Sequence, residues 1–246
     1  MKILVLAAGP SDEFHEAGHA YPKNLVEIGD RPLIEHVLEP LAPLAVAGEN
    51  IVCMVPRAED DRFHTAEVIK LLHPKAVVLP VPPTAGAACT ALHAVDLLDD
   101  AEDVLVYNGD HIVNADLAAI TDEFRRRDLD AGVVVFDAVH PRWSYVRCDE
   151  DGFVVEAAEK RPISRLATAG TFWFRRADAL IAALEEMIVR EAEVDGLYYV
   201  CPALNELILR GQRIGIYIIP RSSYHSLASP RGLEAYEAVL AGYANG

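Results

Sequence analysis

Positive charge is in short supply in this chain. Its 246 residues carry 22 lysines and arginines against 38 aspartates and glutamates, a formal charge of −16, and only five of the cations are lysines. Nucleic acids and anionic membrane surfaces are bound by cationic faces that displace counterions, so this balance excludes both as broad partners. Any anionic ligand has to be held by a few local cations. Cysteine is scarce too: Cys53, Cys89, Cys148 and Cys201 lie far apart, fit no zinc or redox spacing, and are expected to be buried thiols in a reducing compartment. Long apolar runs are missing. The run near the start of the chain covers only residues 3–7 and leads into acidic sequence, so neither a secretory leader nor a membrane span is expected, and a soluble cytoplasmic protein is. Linkers, repeats and low-complexity tracts are also absent, which at this length favours one domain over two.

What the chain does have is a core: 52% of its residues are hydrophobic and 24% charged, enough to bury a substantial interior and too apolar for disorder. Short β-rich runs at 3–7, 51–55, 76–79 and 104–107 alternate with stretches at 33–44, 63–72 and 87–98 whose apolar residues recur every three or four positions. That order predicts a parallel sheet crossed over by helices. The second half is mixed. A helix over 117–127 and a strand over 131–136 are followed by short strands at 144–147 and 153–157 around the turn signal Asp149-Glu150-Asp151-Gly152. A strand at 169–174, a helix at 177–191, a helix at 202–209 led by proline, a strand at 214–219 and a closing helix at 233–240 complete the prediction.

The first strand ends in Leu6-Ala7-Ala8-Gly9, and a polar loop then runs to Pro22-Lys23. In open α/β sheets ligands gather at the carboxyl ends of strands, where small residues let backbone amides approach a base or phosphate. The continuation Asn24-Leu25-Val26-Glu27-Ile28-Gly29, then Arg31-Pro32-Leu33-Ile34, is more specific. This arrangement resembles the sugar-phosphate nucleotidyltransferase family, which opens with LAAG, a glycine-rich turn ending in Arg, PK-x-L, a short apolar strand, G-x-P and an apolar helix. Further matches follow in family order. Thr84-Ala85-Gly86-Ala87-Ala88 is similar to the base-contacting loop, and Tyr107-Asn108-Gly109-Asp110 to the metal-binding strand end. Glu159-Lys160 with Ala169-Gly170-Thr171-Phe172 is similar to the acceptor-phosphate lysine and the sugar-binding glycine strand, and Leu227-Ala228-Ser229-Pro230 stands where the family has L/I-G-T-P. Trp143-Ser144-Tyr145-Val146, Arg161-Pro162-Ile163-Ser164 and Tyr198-Tyr199-Val200 through Asn205-Glu206 resemble family members from capsule and surface-polysaccharide clusters, as does Phe14-His15-Glu16-Ala17-Gly18 before Pro22-Lys23. Aromatics there suit either stacking on a sugar ring or core packing.

The resemblance implies a single-domain, Rossmann-like, three-layer α/β/α fold of the GT-A type with a mostly parallel mixed central sheet, residues 1–113 forming a nucleotide-binding half and 114–246 an acceptor-binding half. It implies attack by an acceptor phosphate on the α-phosphorus of a nucleoside triphosphate, with release of pyrophosphate. The acceptor is expected to be a sugar 1-phosphate and the cofactor Mg2+. Such a transfer needs positioning and charge neutralisation more than covalent help. By the same resemblance Lys23 and Asp110 would be catalytic, Asp110 also holding the metal. Leu6, Ala7, Ala8, Gly9, Ser11, Gly86, Ala87, Asn108 and Gly109 would bind nucleotide, and Glu159, Lys160, Gly170 and Thr171 the acceptor. Dimers and tetramers are common in the family, so a homo-oligomer is an open expectation. Taken singly, Lys23 after a proline also reads as an exposed loop lysine, Asp110 as a turn former, and Lys160 as a surface ion-pair member worth little.

Two positions depart from the family pattern. Glu13 occupies the place of the arginine that grips pyrophosphate, an inversion expected to cost several kcal/mol beside a triphosphate unless a metal or another arginine compensates. Either Asp12 or Glu13 helps to bind a second metal, or the loop swings away, or the reaction differs. Ser226 stands at the place of a second metal carboxylate. The neighbouring His225 reads either as a substitute ligand or as a solvent-facing loop residue. These departures motivate a second hypothesis, a catalytically impaired protein that binds nucleotide or sugar as a regulatory or scaffold subunit. A third, a glycosyltransferase of related architecture, calls for Asp-x-Asp, whereas the strand end here reads Asp110-His111-Ile112.

Overall fold

The computed structural model describes residues 1–45 and 50–244, so the last two residues of the expected domain lie outside the described residues. The first half contributes β1 (Lys2–Leu6), α1 (Asp12–Glu16), the short hairpin β2 (Glu27–Ile28) and β3 (Arg31–Pro32), α2 (Leu33–Leu38), β4 (Ile51–Pro56), α3 (Arg57–Phe63), α4 (Thr65–Leu72), β5 (Val77–Val81), α5 (Ala87–Leu92), β6 (Val104–Asn108) and β7 (His111–Val113). The second half contributes α6 (Leu117–Arg126), β8 (Ala131–Asp137), β9 (Tyr145–Cys148), β10 (Val154–Ala158), β11 (Leu166–Phe174), α7 (Ala177–Val189), α8 (Leu204–Leu209), β12 (Ile214–Ile218), β13 (Tyr224–Ser226) and α9 (Pro230–Ala244).

The main sheet runs β10-β9-β11-β6-β1-β4-β5, with β8 joined to β11 and carrying β12. Strands β6, β1, β4 and β5 are mutually parallel, whereas β11 is antiparallel to β6, β8 and β9. Although β1 and β6 read as unbroken apolar runs, their side chains alternate between two cores, as strands covered on both faces require. Ile3, Val5, Leu105 and Tyr107 pack under α2, α4, α6 and α9, while Leu4, Leu6, Val104 and Val106 pack under α5, α7 and α8. This is a three-layer α/β/α arrangement with a mixed central sheet. Helix α6 shows the local logic: Asp116 caps it through a 2.9 Å hydrogen bond from the Ala119 N–H, and Leu117, Ile120, Thr121 and Phe124 form its buried stripe.

Several predicted elements are shorter than their apolar spacing implies. The helix expected over 33–44 ends at Leu38 and passes into a 3-10 turn, Glu39–Leu41, because Pro40 has no N–H for the helical ladder. The stretch at 63–72 becomes α4, separated from α3 by His64 in left-handed backbone (φ 56). The helix over 87–98 stops at Leu92 and resumes only as a 3-10 turn, Val95–Leu97. Strand β5 runs on through Pro80, tolerated because β5 is an edge strand. Of the four cysteines, all free, Cys53 and Cys201 are buried but Cys89 and Cys148 are only partly so, which corrects the expectation of four buried thiols.

β11 carries the irregularity that matters most. Between Thr168 and Phe172 it advances four residues against two on β8, so Ala169-Gly170-Thr171 bulges at the centre of the sheet. Gly170 has φ +64, and a Cβ there would lie 2.6 Å from Asn108 Nδ2. Glycine is required twice over, by backbone conformation and by the close approach of β6.

Candidate active site

The carboxyl ends of β1 and β6 meet at the point where the sheet changes from parallel to antiparallel. The Gly109 N–H donates to the Leu6 carbonyl (2.9 Å), and a Cβ on Gly109 would lie 2.5 Å from the Ala7 Cα, so the two strand ends touch backbone to backbone. Leu6 and Ala7 are buried, while Ala8, Gly9 and Ser11 are partly exposed. The Ser11 hydroxyl does not cap α1. It accepts the Lys23 backbone N–H at 2.9 Å and so ties the loop after β1 to the Pro22-Lys23 turn.

Lys23 is buried rather than an exposed loop residue, and its ammonium donates to Asp110 Oδ2 at 3.1 Å. A Cβ on Gly9 would sit 2.9 Å from the Lys23 Nζ, so Gly9, Lys23 and Asp110 form one cluster from three parts of the chain. Burial alone would push the Asp110 carboxyl up. The Lys23 charge, the neighbouring His111 and the Lys23 hydrogen bond outweigh it and hold Asp110 below the ordinary carboxylate value. Behind Asp110, the buried His111 ring packs 4.3 Å from Tyr107 and lies 3.3 Å (Nε2) from the Thr171 hydroxyl, and burial lowers its pKa to about 4.

A cavity of about 240 Å3 opens beside this cluster. Ala87, Asn108, Asp110, Glu159 and Gly170 line it, together with Arg142, Trp143, Ser144, Tyr199, Tyr224 and Ser226. The sequence-predicted residues therefore divide. Lys23, Gly9, Ser11 and Gly109 adjoin the Asp110 side without lining the cavity. Gly86 has φ +114 and packs on the Tyr198 backbone, where the Tyr198 N–H donates to the Ala85 carbonyl (2.7 Å) and the Ala88 N–H to the Tyr198 carbonyl (3.0 Å). Those bonds bring the loop at 84–88 next to Tyr199. Thr171 turns its side chain away from the cavity toward His111, following the alternation of β11. Lys160 is exposed, adopts φ 52, and pairs with Asp195 at 2.8 Å while lying 5.2 Å from the Tyr199 ring centroid. Its hydrogen bonds to Asp195 and Tyr199 hold its pKa above the ordinary lysine value. Glu159 accepts a hydrogen bond from the Ser144 hydroxyl. Burial raises its pKa, partly offset by that bond and by the Lys160 charge.

The two departures from the family pattern are also placed. Asp12 and Glu13 form the exposed first turn of α1, whose buried Phe14 anchors that helix in the core. Ser226 pairs with His111 across the β13–β7 ladder, and the Leu227 N–H donates to the Asp110 carbonyl (2.8 Å), so Ser226 does stand next to Asp110. His225 points the other way, lining a second cavity of about 370 Å3 and packing 5.1 Å from Tyr236. Among the described residues no group of three or more His, Cys, Asp or Glu is placed to hold a metal ion. One carboxylate with a neighbouring hydroxyl fits an ion that keeps water and phosphate oxygens in its shell, as Mg2+ does.

Sequence reasoning missed two features. Asn24 Nδ2 donates to both the Ala7 carbonyl and Glu59 Oε1, each at 2.9 Å, and Glu59 also accepts from Thr65 Oγ1 (2.9 Å), a buried network under the Lys23 turn. Nothing in the local pattern around Glu59 marks it. Arg142 has a signal in the sequence, an arginine directly before Trp143 in an acid-rich chain.

The comparisons with known proteins agree with this fold. The nucleotidyl transferase family model matches residues 2–206. The low-salt glycan biosynthesis nucleotidyltransferase of Haloferax volcanii is 22% identical over 229 residues, covering 89% of this chain and 60% of that protein. The UTP–glucose-1-phosphate uridylyltransferase of the same organism is 26% identical over 225 residues, 87% of this chain and 86% of that one. The solved structure of a nucleoside-diphosphate-sugar pyrophosphorylase from Vibrio cholerae RC9 superposes with a TM-score of 0.80 at 25% identity, over 96% of this chain and 99% of that one. The three-layer α/β/α fold with its mixed sheet is the fold of that solved structure. The chain belongs to the nucleotidyl transferase family. It spans about 60% of the length of the first of these relatives.

Proposed function

We propose that this protein joins a nucleoside triphosphate to a small phosphorylated acceptor, a sugar 1-phosphate, releasing pyrophosphate and giving a nucleoside-diphosphate sugar. The observation that carries this reading is the meeting of Lys23 and Asp110, 87 residues apart in sequence, at 3.1 Å beside Gly9 and next to a cavity. Lys23 would place a fixed positive charge on the triphosphate as negative charge crowds around the α-phosphorus. Asp110, kept ionised by that lysine, would hold Mg2+ with Ser226 adjacent. When bound, the ion neutralises phosphate oxygens and orients them. Ala8 and Ala87 keep side chains small where the nucleotide would lie, Gly9 lets Lys23 come close and Gly86 lets its loop pack on Tyr198, with Asn108 and Gly109 at the neighbouring strand end. Glu159 and Gly170 border the acceptor's part of the cavity. The same resemblance supports a nucleotide half and an acceptor half, the lack of linkers a single domain, and the net charge of −16 action without nucleic acid or an anionic membrane surface, in the cytoplasm that the scattered cysteines suggest. Among the described residues no helix is long and apolar enough to cross a membrane.

The test is a matrix of ATP, CTP, GTP, UTP and dTTP against sugar and non-sugar phosphates with Mg2+, read as pyrophosphate. Release with at least one pair is expected, and none across the matrix would sink the reading. The exposed Glu13 and the serine at 226 favour one alternative, a binding subunit without turnover. Ligand binding without pyrophosphate release by the parent, with release gained in Glu13→Arg, would establish that alternative.

A further inference from the structure

The cavity has a charge problem. Of the acidic and basic side chains in its lining, two are carboxyl groups, Asp110 and Glu159, and one is a cation, Arg142. Both lysines of the family-like motifs are engaged elsewhere, Lys23 with Asp110 and Lys160 with Asp195, and neither lines the cavity. A phosphorylated acceptor brings negative charge into this space, and in a chain of net charge −16 only a local cation can receive it.

Arg142 is built for that role. Among the described residues its guanidinium has no carboxylate partner in hydrogen-bond or ion-pair range, unlike Arg147, Arg161 and Arg165 nearby, which pair with Glu156, Glu156 and Asp137. The guanidinium lies over the Trp143 ring, 4.2 Å from its centroid. Trp143 in turn meets Phe136 (5.5 Å) and Tyr224 (5.4 Å) edge to face, and those two stack on each other at 4.6 Å. The loop is held by the Arg142 N–H on His140 Nδ1 (3.2 Å) and by the Tyr145 hydroxyl donating to the His140 carbonyl (2.7 Å). A planar guanidinium resting on an aromatic face keeps its forked donors free at the edge and loses little freedom on binding an oxyanion. Glu159, tied to Ser144, leaves its side of the cavity suited to hydroxyl groups.

We propose that Arg142, carried on Trp143, is the residue that receives the acceptor's phosphate, and that Lys160 supports this site from outside it. The proposal rests on the transferase reading for its kinetics but not for its binding arm. With a productive pair at saturating nucleotide, Arg142→Ala raises the acceptor KM about ten- to a hundredfold and leaves the nucleotide KM within about twofold. Arg142→Lys recovers only part, because the fork is lost. Arg147→Ala, which removes an exposed cation outside the cavity, leaves both constants unchanged. In parallel, calorimetric titrations of glucose 1-phosphate and of glucose, with and without an α,β-methylene triphosphate, compare parent and Arg142→Ala. Binding that needs the phosphate and is lost in Arg142→Ala supports the assignment even if the parent releases no pyrophosphate, in which case the transferase reading fails alone. An unchanged acceptor KM in an active Arg142→Ala, equal binding by the two proteins, or no binding of the ester by the parent overturns it.

Discussion

Lys23 in the N-terminal half and Lys160 in the C-terminal half each sit in a short family-like motif and each end in an ion pair, yet in opposite surroundings. Lys23 is 3% exposed, its charge held against Asp110 where β1 and β6 meet. Lys160 is 38% exposed and reaches outward to Asp195, itself 70% exposed. Asp110 is 31% exposed where it lines the cavity, so losing Lys23 would leave a carboxylate that water reaches in part, a cost below the about 3–5 kcal/mol of a fully buried pair but above the about 0–1 kcal/mol of exposed ones. The same residue type in equally suggestive sequence thus has a fixed place in one half and a replaceable one in the other. In the second half the cation at the cavity is Arg142, itself exposed and resting on the Trp143 ring rather than on an acid.

Breaking the buried side of this comparison should have the largest effect. Lys23→Ala is expected to lower pyrophosphate release about a hundred- to a thousandfold in steady-state assays, the scale of removing a preorganised charge from a transition state. A residual rate within a few-fold of the parent would show that the buried pair is structural.

Next comes the seam between the halves. Gly170→Ala forces a left-handed backbone and a contact on Asn108, so urea unfolding should show a loss of about 2–5 kcal/mol. Gly152→Ala shares the positive φ (+82) but meets nothing within 4 Å, and should cost only about 1 kcal/mol. Equal losses would mean that backbone strain, not the crowding between β6 and β11, makes Gly170 necessary.

Asp103 joins the halves as well, accepting from Arg125 Nε (2.8 Å) and Trp173 Nε1 (3.0 Å) and lying 3.4 Å from the N-terminal amine. Burial pushes its pKa up, but the Trp173 and Arg125 hydrogen bonds and the two positive charges bring it below the ordinary carboxylate value. A lowered carboxylate pKa stabilises the fold above its unfolded-state value, and that stability is lost as pH falls through the folded-state value. Asp103→Asn should therefore lower Tm at neutral pH, by about 1–3 kcal/mol of stability, and converge with the parent below pH ~3. A constant Tm gap down to the acid limit would contradict it.

The smallest effect belongs to the exposed lysine. Lys160→Ala should change unfolding stability by less than about 1 kcal/mol, the range of surface pairs, with any kinetic change confined to the acceptor. A stability loss rivalling that of a buried pair would erase the contrast between the two halves.

Much of this was legible in the sequence. The strands at 3–7, 51–55 and 104–107 and the hairpin around Asp149-Gly152 announce themselves through composition and period, and β9 and β10 form around that turn, whose Asp149 side chain accepts the Asp151 and Phe153 N–H groups. Helix ends were less legible, because Pro40 and His64 act through single backbone bonds that apolar spacing does not register. At the site, the motifs named Lys23, Asp110, Glu159 and Gly170, but motif order treats Lys160 and Lys23 alike and gives Thr171 the same standing as Gly170.

By itself, then, the sequence determined which elements form and which short segments carry small or charged residues at strand ends, because periodicity and turn chemistry are local. Only the tertiary structure decided which charges are buried and which are spare. Burial and pairing depend on neighbours far along the chain: Asp110 comes to Lys23 across the β1–β6 ladder, Asp195 takes Lys160 outward, and Phe136 and Tyr224 converge under Trp143 to leave Arg142 at the cavity without an acid. The scarce positive charge that marks this chain became informative at that point, since Arg142 is the cation among the residues that line the cavity.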